Sequence, residues 1–121
     1  MIDEGQNKGS VRTVYYTDEF MEFYQGLDEK VQKKMDYVIS VIKEIRVVHV
    51  DFVKKLIVSD FYEMRVSVGT NEYRTILFSM VHENIIESDQ VILLNGFLKK
   101  SSKDYEKQIK KAEQILIKLQ S

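Results

Sequence analysis

Cysteine is absent from this 121-residue chain, so it has no disulfide, thiolate nucleophile or thiolate metal ligand. That absence fits a cytoplasmic protein. Proline and tryptophan are missing too, and only five glycines are available for sharp breaks in the backbone. Neither of the two histidines, His49 and His82, has a ligand partner at helical spacing, so no metal and no other cofactor is expected. No apolar run approaches the roughly 18 residues of a membrane span, and no membrane association is expected. Residues 1–10 lack the apolar core of a secretion signal and read as a short flexible leader. The remainder, 11–121, has the length of one domain.

Charge is plentiful but unevenly placed. From Lys99 to the end, seven lysines face only Asp104, Glu106 and Glu113, a net of +4. Residues 1–98 carry eleven basic against sixteen acidic groups, a net of −5. Cations collected at one end, directly after an apolar strand, suit a polyanion, and RNA is the first candidate.

The pattern along the chain predicts an α+β fold. Val11 to Tyr16 is β-branched and aromatic, a first strand. Thr17 stands at an N-cap position ahead of Asp18 and Glu19, and Phe20, Phe23, Tyr24 and Leu27 follow at helical spacing. Gly26 separates this short helix from a longer one striped by Leu27, Val31, Met35, Val38, Ile42 and Ile45. Tyr62, Met64, Val66 and Val68 then alternate with polar residues as a half-buried strand. A return strand runs from Asn71 to Met80, and the apolar run Gln90 to Leu94 reads as a central strand. Ser101 or Ser102 can cap a final helix striped by Tyr105, Ile109, Ala112, Leu116 and Leu119. The expected architecture is a small twisted antiparallel sheet packed with an N-terminal helical hairpin and a C-terminal helix, in the order β-α-α-β-β-β-α.

One register carries chemistry. A two-residue turn at Gly69-Thr70 pairs position 65 with 74, setting Arg65 opposite Arg74 on one face. Like charges placed so repel, and a bound anion would relieve the conflict.

This order, together with Phe52-Val53-Lys54-Lys55-Leu56, Phe61-Tyr62-Glu63-Met64-Arg65-Val66, Tyr73-Arg74 and Leu93-Leu94-Asn95-Gly96-Phe97-Leu98-Lys99-Lys100, resembles the RelE/HigB-type toxins of bacterial type II toxin–antitoxin systems. More narrowly, it is similar to the phage-derived branch of the RelE/ParE superfamily. The resemblance implies a fold like that of microbial ribonucleases. It also implies a ribosome-dependent messenger RNA endonuclease, in which the ribose 2′-hydroxyl attacks the adjacent phosphate. Implied partners are a cognate helix-turn-helix antitoxin and mRNA on the ribosome, with DNA reached only through the antitoxin complex.

Carried over by position, Arg65 and Arg74 match the arginines of the second and third sheet strands, and Lys99 and Lys100 the basic pair after the last. Guanidinium groups suit a phosphorane because they stay charged and bind two oxygens at once. With no histidine at these positions, proton transfer falls to Glu63 as a base, to Lys99 or Lys100 as an acid, or to Tyr105. Lys99, Lys100, Lys103 and Lys107 would guide RNA. Each has a plainer reading: Glu63 as a salt-bridge partner, Tyr105 as core beside Ile109, the lysines as a solvated face. Tyr105 stands where the branch usually has proline, and a pI of about 6.1 is low for a ribosome-binding toxin. A gyrase-directed toxin of the ParE type and a non-catalytic antitoxin-binding module are the competing functions.

Overall fold

The computed structural model describes residues 10–57 and 59–121 of the chain. The leader expected at 1–10 therefore lies, except for Ser10, outside the described residues. Five strands form one sheet in the order β1-β5-β4-β3-β2. They are β1 (Thr13–Tyr16), β2 (Val53–Lys55), β3 (Phe61–Val68), β4 (Asn71–Ser79) and β5 (Gln90–Leu98). The helices are α1 (Asp18–Gln25), α2 (Glu29–Glu44) and α3 (Ser102–Gln120). The expected order holds, with the short β2 added on the outer edge of β3. Among the described residues no helix is long and apolar enough to cross a membrane.

Two features of the sheet differ from expectation. It is mixed and not antiparallel throughout, because β1 pairs in parallel with β5, from Thr13 opposite Gln90 to Tyr16 opposite Leu93. The α1–α2 hairpin and three strands intervene between these two segments, and such a long crossover allows parallel pairing. The last strand also runs to Leu98, four residues past its apolar core. Hydrogen bonding to β4 continues there although the hydrophobic run has ended.

Local signals explain the helices. Thr17 accepts a hydrogen bond from the Phe20 amide at 3.0 Å, and Asp28 accepts one from Val31 at 3.0 Å. Ser101 does the same for Asp104 at 3.2 Å. Val31, Met35, Val38 and Ile42 bury the stripe of α2, but Ile45, beyond its last turn, is exposed. On α3, Ala112 and Ile115 are buried, while Leu119 is half exposed.

The sheet separates two apolar layers. On one face Phe20, Met35, Val38 and Ile42 pack on Met64, Val66, Leu77 and Leu93. On the other, Ala112 and Ile115 pack on Phe61, Ile76, Leu94 and Phe97. A β-bulge in β5 sets which residues meet α3. Ile76 pairs with Asn95 but Leu77 pairs with Leu93, so Leu94 is the extra residue. Leu94, Asn95 and Phe97 consequently all serve the α3 side. The Asn95 amide donates to the carbonyl and side-chain oxygens of Gln108, both at 3.1 Å. Gly96 turns to the opposite face, where an added Cβ would lie 2.2 Å from the Phe23 ring. Asn-Gly-Phe is thus three separate packing requirements in succession.

Leu93 is fully buried on the central strand. Leu93→Ala should cost about 2–4 kcal/mol through the cavity it leaves. Urea unfolding would measure this, and a loss below about 1 kcal/mol would mean the site collapses around the smaller side chain.

One buried charge ties the periphery together. Arg12 is 2% exposed and donates to the carbonyls of Ile42 (2.8 Å), Ile45 (2.7 Å), Arg46 and Ile85 (2.8 and 3.1 Å). It links the end of α2 to the loop between β4 and β5.

Candidate functional site

The β3–β4 hairpin builds the site. Its turn is the two-residue Gly69-Thr70, with Gly69 at φ 63°, the left-handed region that glycine enters without a steric penalty. Val68 pairs with Asn71, and Arg65 therefore stands opposite Arg74. Both lie on the α3 side of the sheet, but only Arg65 keeps appreciable exposure; the Arg74 side chain is 4% exposed.

The protein supplies its own anion for this pair. Glu63, two residues before Arg65 on the same face, is 5% exposed and reaches between the two guanidinium groups. Its Oε1 is 3.4 Å from Arg65 Nε and its Oε2 is 3.6 Å from Arg74 Nε. Neither Nε makes a well-formed hydrogen bond, although both are buried. The attraction is electrostatic, and the donors are under-used. The Tyr105 hydroxyl donates to the same Oε2. Its ring meets Phe97 edge-on, centroids 5.4 Å apart at 90°, so the bulge in β5 fixes where the phenol points.

A second carboxylate holds Arg74 from its other end. Glu72 Oε1 accepts from Arg74 Nη1 at 3.1 Å and from Ser67 Oγ at 2.8 Å. Arg74 Nη1 also donates to the Tyr73 carbonyl at 3.2 Å. The Ser67 hydrogen bond is the main reason the Glu72 carboxyl sits below its usual range; Arg74 and Lys99 add to this, and burial opposes it. A carboxyl lowered on folding adds stability above its unfolded value, which is lost as pH falls through the lower folded one. Glu72→Gln should therefore lower the melting temperature at pH 7, and the gap to wild type should shrink as the pH falls into the acid range. The shift should be a few degrees at most, because a pair this exposed is worth about 0–1 kcal/mol. Melting curves at pH 7 and in the acid range check it, and an equal gap at both would remove the titration from the account.

The candidates read from the sequence separate into two groups. Glu63, Arg65, Arg74 and Tyr105 form one cluster. Lys99 adjoins it, with its backbone amide donating to the Glu72 carbonyl at 2.8 Å. Lys100, Lys103 and Lys107 are exposed, and none forms an ion pair among the described residues. Sequence reasoning passed over Ser67 and Glu72. Their signal was the two-residue turn itself, since the register that faces Arg65 with Arg74 also faces Ser67 with Glu72. Just ahead of β2 the arginines border a cavity of about 370 Å³, also lined by Lys34 of α2, Asp51 and Phe52. The chemistry of the cluster is ion-paired and hydrogen-bonding: two guanidiniums, a phenol and two carboxylates, with solvent access through Arg65.

Residues 22–116 match the family described as phage derived protein Gp49-like (DUF891). A mutant of the E. coli toxin RelE in the free state superposes with a TM-score of 0.58 at 13% identity, covering 84% of this chain and 96% of that one. The isolated E. coli RelE toxin gives 0.47 at 12% identity, over 80% and 94%. On the first of these superpositions the fold is RelE-like. No curated protein matches the chain by sequence.

Proposed function

The chain belongs to the phage-derived Gp49-like family, and on that premise we propose that it is the toxin of a toxin–antitoxin pair that cuts messenger RNA on the ribosome. The observation that carries the reading is the facing pair Arg65 and Arg74, joined through Glu63 to the Tyr105 hydroxyl. An RNA phosphodiester would bind the terminal N–H groups of Arg65, which no residue among those described engages, and share Arg74. Attack by the 2′-hydroxyl places extra charge on the phosphorane, where fixed guanidiniums in a partly desolvated site are most effective. Glu63 is the base that accepts the 2′-hydroxyl proton, and Tyr105 or Lys99 is the acid that protonates the departing 5′-oxygen. The products are a 2′,3′-cyclic phosphate and a 5′-hydroxyl. Lys99, Lys100, Lys103 and Lys107 draw the RNA in by charge. A helix-turn-helix antitoxin is the partner that restrains the toxin in the cytoplasm.

One observation favours a different reading. Glu63 and Glu72 balance both arginines, so the cluster is close to neutral, as in a module that only binds its antitoxin. Induced expression with mapping of messenger RNA 5′ ends decides. Growth arrest with cuts inside translated frames supports the nuclease. Arrest without cuts points to a gyrase-directed toxin, and no arrest to the binding module.

A further inference from the structure

We propose that the cavity beside Arg65 is the seat of one nucleotide flanking the bound phosphate, with Phe52 stacking its base and Lys34 pairing with its second phosphate. The inference rests on the reading of Arg65 and Arg74 as phosphate-binding groups. Those arginines are a shared wall: Glu63 and Tyr105 lie on one side and the cavity of about 370 Å³ on the other. That volume falls within the range of small-molecule sites. Phe52 also lines it, partly buried against the α2-side core, with its ring set by an edge-on contact with Tyr37, centroids 6.1 Å apart at 74°. The Phe52 carbonyl accepts from the Arg65 amide at 2.7 Å, so the aromatic ring and the guanidinium are tied to one backbone junction. Lys34 is exposed and forms no ion pair among the described residues.

The two carboxylates on the walls do not cancel this arrangement. Glu72 is held by Ser67 and Arg74, and the Asp51 carboxylate is largely exposed to solvent, its backbone amide donating to His49 Nδ1 at 3.0 Å. Both remain acceptors for the donors of a base or a ribose. Cations and an aromatic ring lining one cavity are what a single-stranded nucleotide needs. The RNA track is extended accordingly. It runs from the arginines toward α2 as well as toward the lysines after β5.

Calorimetric titration of the full chain with adenosine 3′,5′-bisphosphate, and separately with inorganic phosphate, tests the seat. The bisphosphate should bind at least about tenfold more tightly than phosphate. Phe52→Leu should cost about 5- to 100-fold on the nucleotide and leave phosphate unchanged, as loss of stacking requires. Lys34→Ala, at an exposed helix position that cannot threaten folding, should weaken the nucleotide and reduce its salt dependence by about one ion. A bisphosphate that binds no better than phosphate, or is indifferent to both substitutions, overturns the seat. If phosphate then still binds and is lost in Arg65→Ala, the arginine clamp survives alone. Binding of neither compound overturns both readings.

Discussion

Arg65→Ala should lower messenger RNA cleavage on purified ribosomes by about 10²- to 10³-fold, abolish growth arrest, and leave the melting temperature within a few degrees of wild type. The activity loss is the scale expected when one preorganised charge donor is removed from a developing oxyanion. The stability is spared because the Arg65 side chain is 27% exposed and meets Glu63 only at 3.4 Å. Glu63 retains Arg74 and Tyr105 when Arg65 is gone. Arg74→Ala must behave differently. Its side chain is 4% exposed, and its removal strips a partner from Glu63 and from Glu72 together. Deleting one partner of a buried ion pair costs about 3–5 kcal/mol, a large share of a small domain's stability. Arrest lost in Arg74→Ala would therefore mix unfolding with chemistry, and Arg65→Ala separates them. Full cleavage by a folded Arg65→Ala protein would sink the phosphate-clamp mechanism.

That asymmetry between two facing arginines was not legible in the sequence, although their pairing was. A glycine followed by a β-former between two alternating segments is enough to predict the turn, and the turn dictates that 65 faces 74. What the pattern cannot say is which residue on that face points between them. Glu63 was visible as a neighbour two positions away on the same face, but its role as the buried anion depends on α3 closing over the site and on the Tyr105 hydroxyl reaching it. Phe97 reaches Tyr105 only because of the bulge at Leu94, and strict alternation would have sent it to the other face. Parallel pairing of β1 with β5 was equally hidden, since it joins segments more than seventy residues apart. Helices, caps and the central burial of Leu93 were legible because they rest on local spacing and apolar content.

Arg12→Met should be the most damaging single substitution outside the apolar core, at about 3–5 kcal/mol in urea unfolding. In the sequence Arg12 is one polar residue within Val11 to Tyr16, with nothing to mark it. In the fold its guanidinium is 2% exposed and supplies four carbonyls from two separate segments. Ile42 and Ile45 belong to the end of α2, where the last carbonyls have no helical donor. Ile85 belongs to the β4–β5 loop, which the Tyr62 hydroxyl also holds by accepting from the Ile85 amide at 3.1 Å. Burial pulls the Arg12 pKa down, nearby Arg46 adds to this, and Asp89 opposes it. Methionine matches the volume but leaves those carbonyls buried without a donor, each a desolvation cost of about 1–3 kcal/mol if water cannot enter. Lysine keeps the charge, yet one ammonium cannot spread over the same carbonyls as a planar fork, so Arg12→Lys should recover only part of the loss. A Met variant within 1 kcal/mol of wild type would mean that water replaces the guanidinium there.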